Sequence, residues 1–461
     1  MPWRAISIEL SNGGAVDKPM WTPSPERIAG ANITEFMRAV RDRYGVVLRD
    51  YGELYAWSIK EPERFWQSVW SECGVIAETA GDKVVTDRDR MPGARWFPNA
   101  RLNFAENLLR RRDDDTALVF WGEDRVKSRM TYAELFGQVS RLAQALRDEG
   151  VTAGDRVAGY LPNMPATIAA MLATTSIGAI WSSCSPDFGV QGILDRFGQI
   201  EPKIFFAGDG YFYGGKTIDV LPRIRDVLTK LPSVKKTVVV PYTRARPDLT
   251  HIRSGISIEA FVAPYEVHDI EFARLPFNHP LCIMYSSGTT GVPKCIVHGA
   301  GGTLLQHLKE HRLHTDLKRG DRLLYFTTCG WMMWNWLASA LASEVTVLLY
   351  DGSPFAAEGR ILFDYAQAER ISVFGTSAKY IDAAAKLGLE PSKTHDLRSI
   401  KTLLSTGSPL APRDTTMSTA ASSATFSSRR FQAARTSFRV LRWEIRSGPC
   451  GAARSSVGGS V

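Results

Sequence analysis

The sequence predicts an α/β fold in which doubly wound sheets and helices lie in layers. Residues 117–163 read as strand, turn, strand, long amphipathic helix ending in glycine, and a new strand at Arg156–Tyr160. A helical segment over residues 165–178 then leads into the apolar run AIWSSCSP. Because strands alternate with helices along this part of the chain, we expect a mostly parallel sheet with helices on its faces.

A helical N-terminal cap is expected before this region. Residues 1–20 are polar and punctuated by glycine, which is typical of a loose leader. Asn32 is a candidate N-cap, and the apolar residues that follow it recur at helical spacing. A second helical segment carries Trp57, Trp66 and Trp70, and an aromatic stripe of this kind usually faces a core.

Composition excludes several broad classes of protein. The net charge of +8 comes from one end, because residues 413–461 hold eight Arg, no Lys and two acids, whereas the first 412 residues hold 48 basic and 46 acidic side chains. A surplus of positive charge that is confined to one end of the chain does not predict a nucleic-acid-binding groove. The six cysteines form no CxxC pair, which argues against a metal site. No apolar run approaches the length of a membrane span, so we expect no membrane partner and a cytoplasmic location.

The stretch 281–302, LCIMYSSGTTGVPKCIVHGAGG, predicts a strand, a phosphate-binding loop and a second strand. Its apolar beginning is typical of a buried strand. In the loop, glycines let the backbone approach an anion closely, N–H groups and hydroxyls donate to phosphate oxygens, and one lysine adds a charge. The residues that we expect to bind a nucleoside triphosphate are Ser286, Ser287, Gly288, Thr289, Thr290, Gly291 and Lys294.

This loop differs from a Walker A motif, in which the lysine follows the second glycine directly, because Val292 and Pro293 intervene here. A glycine-rich turn on a surface hairpin is the plain alternative. Nine matching residues, however, reproduce the signature YSSGTTGxPK. The chain therefore resembles the adenylate-forming superfamily of acyl-CoA synthetases.

The N-terminal part narrows this resemblance. Residues 51–74 and the run WFPNARLNFAENLL look like the N-terminal cap of the acetyl- and acetoacetyl-CoA synthetase branch. Over residues 21–412 the chain is similar to acetoacetate:CoA ligases. The resemblance implies a cap over residues 21–98 and an AMP-binding adenylation domain over residues 99–412. It also implies synthesis of acetoacetyl-CoA from acetoacetate, ATP and CoA, with Mg2+ as cofactor and with Lys294 and Thr289 as catalytic residues.

Two further contacts with nucleotides follow from the resemblance alone. The turn formed by Gly407, Ser408 and Pro409 resembles the loop that packs against adenine in the family. Arg196 falls near the path of the CoA phosphates. An ordinary arginine on a helix surface is an equal alternative for Arg196.

The family places its acyl pocket in the segment TTCGWMMWNW, residues 327–336. The resemblance implies that Trp331, Met332 and Trp334 line this pocket and that the indole of Trp331 limits the length of the acid. Plain core packing is the alternative for these large side chains, since buried indoles need partners for their N–H groups.

Three histidines follow the loop at helical spacing. His307, His311 and His314 fall at i, i+4 and i+7, a spacing that could bring three imidazoles to one helical face. Spacing alone is a weak metal motif. We therefore expect a polar helix face here and no metal site.

Past Pro412 the sequence changes character. Residues 413–461 are rich in Ser, Ala and Arg and show no steady periodicity. A disordered tail is one interpretation. We favour a shift of reading frame, because the family continues here with a ribose-binding acid, a hinge and a small C-terminal domain that carries a catalytic lysine.

We therefore expect no recognisable small C-terminal domain and an impaired ligase. Two alternatives stay open. One is a synthetase for another short acid, such as acetate or propionate, and the other is an inactive nucleotide-binding remnant. The oligomeric state is left open by the sequence.

Overall fold

A computed structural model describes residues 22–286 and 291–408 of the chain. The predicted loose leader and the segment 413–461 lie outside these residues. As expected, the described N-terminal part is helical. Its helices are α1 (Pro25–Ala29), α2 (Asn32–Tyr44), α3 (Tyr51–Lys60) and α4 (Pro62–Glu72).

The prediction that Asn32 is the N-cap of α2 is wrong. Ala31 occupies the N-cap position and Asn32 is the first helical residue. The Asn32 amide instead donates to the carbonyl oxygens of Arg312 and Leu317 at 2.9 and 3.0 Å. These long-range bonds hold the helical N-terminal part against residues 312–317, which follow the phosphate loop. No local sequence pattern predicts them.

Short strands join the cap to the main sheets. Strand β1 (Ala77–Thr79) pairs with β4 (Arg101–Leu102), which also pairs with a later strand, and β2 (Val85–Thr86) pairs with β3 (Arg95–Trp96). Helix α5 (Phe104–Leu108) follows, and the Asn103 side chain caps it by accepting from the Glu106 N–H.

Helices and strands then alternate up to the loop, as the periodicity predicts. These elements are, in order, β5 (Thr116–Gly122), β6 (Val126–Thr131), α6 (Tyr132–Asp148), β7 (Arg156–Tyr160), α7 (Pro165–Ser176), β8 (Ile180–Cys184), α8 (Val190–Phe197), β9 (Ile204–Gly208), β10 (Gly210–Tyr213), β11 (Lys216–Asp219), α9 (Leu221–Leu228), β12 (Lys236–Val240), β13 (Gly255–Ser257), α10 (Ile258–Val262), β14 (Leu275–Pro276) and β15 (Pro280–Ser286).

The same alternation continues after the loop. The elements are β16 (Lys294–Gly299), α11 (Ala300–Leu308), a π-helical turn (Lys309–His314), β17 (Arg322–Tyr325), α12 (Met332–Ser339), a 3-10 turn (Ala340–Ser343), β18 (Thr346–Asp351), a second 3-10 turn (Ala357–Gly359), α13 (Ile361–Ala368), β19 (Val373–Ser377), α14 (Ala378–Lys386), α15 (Pro391–Thr394) and β20 (Thr402–Thr406).

Two large sheets organise the molecule. One has the order β13-β12-β9-β7-β8-β15-β16, and all of its pairs are parallel except β15–β16. The other has the order β20-β19-β17-β18-β5-β6, and only β5–β6 is antiparallel. The predicted α/β class with doubly wound sheets is confirmed.

Helix α7 lies between the two sheets. All twelve of its residues are buried, and it packs on β7 and β8 of one sheet and on β5 of the other. Such a helix needs an apolar surface all round, which PATIAAMLATTS provides once its hydroxyls are satisfied. Thr174 and Thr175 achieve this by donating to the carbonyl oxygens of Ala170 and Met171. Within the described ranges, no helix combines the length and the apolar character needed to span a bilayer.

Candidate active site

The phosphate-type loop stands at the carboxyl end of β15. Strands β15 and β16 pair antiparallel, and the register places Ser286 opposite Lys294. These two residues therefore frame the base of the loop. Four predicted nucleotide contacts, Ser287, Gly288, Thr289 and Thr290, lie outside the described residues.

Gly291 closes the described end of the loop in a conformation that requires glycine. Its φ is +90°, and an added Cβ would meet no atom within 4 Å, so the requirement is one of backbone shape rather than of space. Lys294 is exposed three residues further on. An open backbone beside an exposed ammonium is suited to an anionic ligand.

Arg196, on α8, lies beside the strand that leads into the loop. Its guanidinium is 4.2 Å from the centre of the Phe188 ring and 5.7 Å from that of Tyr285, which immediately precedes Ser286. It also donates to the Gly192 carbonyl oxygen at 2.7 Å. Arg196 is thus half-buried and stacked rather than free on a helix surface, and its contact with CoA stays a prediction.

Tyr285 anchors the same end of β15. Its hydroxyl lies 2.9 Å from the Ser182 hydroxyl on the neighbouring strand β8. Burial raises the pKa of Tyr285 above its ordinary value, so the phenol stays protonated and can donate. The strand that presents the loop is therefore fixed to the middle of its sheet.

The carboxyl ends of the two sheets meet at a junction that the sequence did not reveal. Asn163, just after β7, accepts from the Trp334 indole N–H at 2.9 Å and donates to the Thr327 carbonyl oxygen at 3.3 Å. Ser183 on β8 donates to the Cys329 carbonyl oxygen at 2.8 Å. Ligands of open α/β sheets bind at the carboxyl ends of parallel strands, so this junction borders the expected site.

The three predicted pocket residues differ in their surroundings. Trp331 stands at the N-cap of α12 with 65% of its surface exposed, and Met332 is half-buried against the core. Trp334 is fully buried and held by its bond to Asn163. Helix α12 also touches β15, because the Asn335 amide lies 3.3 Å from the sulfur of Met284. The assignment of these side chains to an acyl pocket stays a prediction.

The predicted adenine turn follows β20, at the carboxyl edge of the second sheet. Gly407 has a φ of +91° and is exposed, and Ser408 is half-buried. The third predicted member, Pro409, lies outside the described residues. Since β20 pairs parallel with β19, the turn leaves its sheet on the same edge as the junction.

Two carboxylates, the buried Glu123 and the half-buried Asp351, lie at the carboxyl end of β5 and β18 in the second sheet. Glu123 accepts from the backbone N–H groups of Gly214, Gly215 and Ser353 at 2.7–3.0 Å. Asp351, at the end of β18, accepts from the Tyr242 hydroxyl at 3.1 Å. Burial, with the nearby Glu123 charge, raises the pKa of Asp351 to about 7. Polar residues directly after apolar strands were the signal that could have predicted this group.

The histidines are not a polar helix face, and that prediction is wrong. His307 and His311 are buried, and the helix widens into a π-helical turn from Lys309. The Ser339 hydroxyl lies 2.8 Å from His307 Nδ1 and 3.1 Å from His311 Nε2. Burial lowers the pKa of His311 to about 3, so its ring is neutral. Among the described residues, no group of three or more His, Cys, Asp or Glu side chains is placed to hold a metal ion.

Comparison with known families assigns the class. The family model described as "AMP-binding enzyme" matches residues 104–420, and the model described as "Acetyl-coenzyme A synthetase N-terminus" matches residues 51–108. The first model spans more than half of the chain and includes both the loop and the junction. The chain belongs to the AMP-binding enzyme family.

Individual relatives point to a particular branch. The acetoacetyl-coenzyme A synthetase of Rhizobium meliloti (strain 1021) is 56% identical over 397 residues, which are 86% of this chain and 61% of the relative. The malonamoyl-CoA synthetase of Penicillium aethiopicum is 41% identical over 88% of this chain and 60% of its own. The solved acetoacetyl-CoA synthetase from Streptomyces lividans matches with a TM-score of 0.82 and 40% identity, over 87% of this chain and 62% of that one. The chain thus spans about three fifths of the length of these relatives.

Proposed function

We propose that the chain binds ATP through its loop and serves an acid–thiol ligase reaction that converts acetoacetate to acetoacetyl-CoA through an acyl-adenylate. The observation that carries this proposal is the signature loop at the carboxyl end of β15, framed by Ser286 and Lys294. The relatives that are acetoacetyl-CoA synthetases support the choice of acid.

The chemistry suits these residues. A carboxylate is a poor electrophile until one of its oxygens attacks the α-phosphorus of ATP and pyrophosphate leaves. Lys294 and the loop N–H groups offset the repulsion between the two anions, and Thr289, outside the described residues, is the second proposed catalytic contact. The CoA thiolate then attacks the acyl carbon, a C–S bond forms, and AMP leaves with the bonding electron pair.

Magnesium enters this proposal as part of the substrate, ATP–Mg. The described residues offer no cluster of carboxylates for a resident ion. The phosphate oxygens of ATP are hard ligands of the kind that Mg2+ prefers. The phosphate groups of ATP, rather than a resident site, would therefore hold the ion.

The remaining substrates are assigned to the neighbouring elements. Arg196 carries a fixed positive charge beside the base of the loop, which favours a phosphate of CoA. Gly407, Ser408 and Pro409 are proposed to pack against adenine. The exposed indole of Trp331 is proposed to bound the acid. The five cysteines that the structure describes are free thiols, which supports our further proposal that the protein works in the cytosol.

A pyrophosphate-release assay on the purified chain tests the proposal. With ATP–Mg, pyrophosphate release should be slow, as expected of an impaired ligase, but greater with acetoacetate than with acetate or propionate, and added CoA should yield little thioester. Lys294→Ala should reduce the rate, while the control Lys216→Ala, an exposed lysine on the β10–β11 hairpin, should not. Faster turnover of acetate or propionate would replace acetoacetate with the other short acid.

The second candidate is a nucleotide-binding protein without turnover. The change of sequence character after Pro412, into a stretch rich in Ser, Ala and Arg, is the observation that raises it. ATP binding without pyrophosphate release from any acid would establish this candidate and contradict the first.

A further inference from the structure

A pocket of about 430 Å³ opens in the N-terminal part of the chain, and the proposed function does not use it. It lies between the end of α2, the outer face of α4 and the loop before β2. Pockets that bind small molecules usually measure about 300–1,000 Å³. Its lining includes Arg43, Tyr44, Trp70, Ala80, Lys83 and Phe97.

Aromatic rings form the wall of this pocket. The rings of Trp70 and Phe97 are 4.8 Å apart at 32°, and Phe277 continues the group 5.1 Å from Phe97. Tyr44 adds a further ring to the lining. Phe97 and Phe277 are almost fully buried, so Trp70 and Tyr44 offer the accessible ring surface. Aromatic faces prefer offset stacking on other flat rings, so a planar ligand gains more here than a puckered one of the same size.

Phe97 is held in an unusual backbone conformation. Its φ is +42°, which is rare for a bulky residue. A hydrogen bond from its N–H to the Val84 carbonyl oxygen at 2.7 Å fixes this geometry, and Val84 also lines the pocket. Backbone strain of this kind tends to occur where a ligand is gripped.

The charges of the lining favour an anion. Two cations, Arg43 and Lys83, outnumber the single carboxylate of Asp82. Arg43 already pairs with Glu72 at 2.8 Å, and Asp82 accepts from the Asn99 amide at 2.6 Å. Lys83 is exposed and makes no hydrogen bond or ion pair to any other residue that the structure describes. The Asn99 amide and, to a smaller extent, the charge of Lys83 lower the pKa of the neighbouring Asp82, but the ammonium donates to no described residue and can still meet a negatively charged ligand.

We propose that this pocket binds a small planar aromatic anion. The ring packs against the accessible parts of Trp70 and Tyr44, with the nearly buried Phe97 behind Trp70, and the anionic group meets the ammonium of Lys83. The ligand is distinct from the acid and the nucleotides of the proposed reaction, because none of the residues assigned to those substrates lines the pocket.

Titration calorimetry of the full 461-residue chain with 2-naphthoate tests the proposal. The binding strength per atom that is typical of drug-sized ligands gives a Kd of about 1 mM for this probe. Cyclohexanecarboxylate, an anion without an aromatic face, should bind at least several-fold more weakly. The neutral 2-naphthalenemethanol should bind without any dependence on Lys83.

Three variants test whether 2-naphthoate binds in this pocket. Ala80→Trp should fill the pocket and abolish binding. Lys83→Ala should raise the Kd of 2-naphthoate about two- to fivefold, the range of an exposed ion pair. Lys60→Ala, an exposed lysine of α3 outside the lining, should leave the Kd unchanged.

The proposal is overturned if the wild-type chain shows no binding of 2-naphthoate at several millimolar, or if Ala80→Trp binds it unchanged. Equal Kd values for the wild type and Lys83→Ala would also overturn the role given to the charge. All three variants should bind ATP as the wild type does, so a failure here is separate from a failure of the proposed function.

Discussion

Replacing Asn163 perturbs the junction between the two sheets at one side chain. Its oxygen accepts from the Trp334 indole and its amide nitrogen donates to the Thr327 carbonyl oxygen. Asn163 is 3% exposed and Trp334 is fully buried, so water cannot easily replace either bond. Asn163→Ala leaves an N–H and a carbonyl oxygen without these partners.

The geometry sets the size of the effect. Leaving a buried polar group unpaired costs about 1–3 kcal/mol. The bond to Trp334, at 2.9 Å, has the usual length, whereas the bond to Thr327, at 3.3 Å, is long and contributes less. We expect Asn163→Ala to lower the free energy of unfolding by about 2–4 kcal/mol. Trp334→Phe, which removes the indole donor and leaves a small cavity at a fully buried position, should lower it by about 2–4 kcal/mol.

Urea unfolding of both single variants and of the double variant measures this coupling. In so long a chain, only the first cooperative transition should be analysed. The double variant should be less destabilised than the sum of the two singles by about 1 kcal/mol, the value of one neutral hydrogen bond. Asn278→Ala, an exposed control, should change stability by less than about 0.5 kcal/mol. Additive single effects, or a loss below about 0.5 kcal/mol for Asn163→Ala, would refute the claim that Asn163 and Trp334 stabilise the junction together.

Three further predictions concern α11, β18 and α12. Gly301→Ala would place a Cβ 2.2 Å from the Phe277 ring and should destabilise by about 1–3 kcal/mol in a melt, whereas Gly302→Ala, with open space around it, should stabilise by about 0.5–1 kcal/mol. The pKa of Asp351 is raised from its ordinary 3.8 to about 7 in the folded chain, so the free energy of unfolding should fall as the pH rises between these two values. Asp351→Asn should flatten this fall in urea unfolding, and an unchanged pH dependence would contradict the prediction. Trp331→Gly should extend the acids accepted in a pyrophosphate assay to longer chains with little loss of stability, since the indole is exposed; an unchanged length preference would count against a pocket role.

The sequence predicted those parts of the fold that depend on local pattern. Apolar runs located β15 and β7 because a buried parallel strand has to be apolar along its length. The loop was equally visible, because its glycines and hydroxyls are adjacent in the chain. Gly291 illustrates this, since its positive φ is what a glycine in such a loop predicts.

The rest depends on contacts between distant residues. Asn163 and Trp334 are 171 residues apart, and no pattern around either one announces the other. The spacing of His307 and His311 predicted a shared helical face but not whether that face meets solvent or core. The His311 ring lies 4.1 Å from the Trp336 ring, so this face is buried because it packs against α12.

Titration of the chain with ATP–Mg by calorimetry tests the central claim, that the loop framed by Ser286 and Lys294 is the nucleotide site. A charge-assisted hydrogen bond to phosphate is worth about 1.5–3 kcal/mol, so Lys294→Ala should raise the Kd about ten- to hundredfold. The control Lys216→Ala should bind as the wild type does. Equal affinities of the wild type and Lys294→Ala would contradict the account and remove the loop from the site.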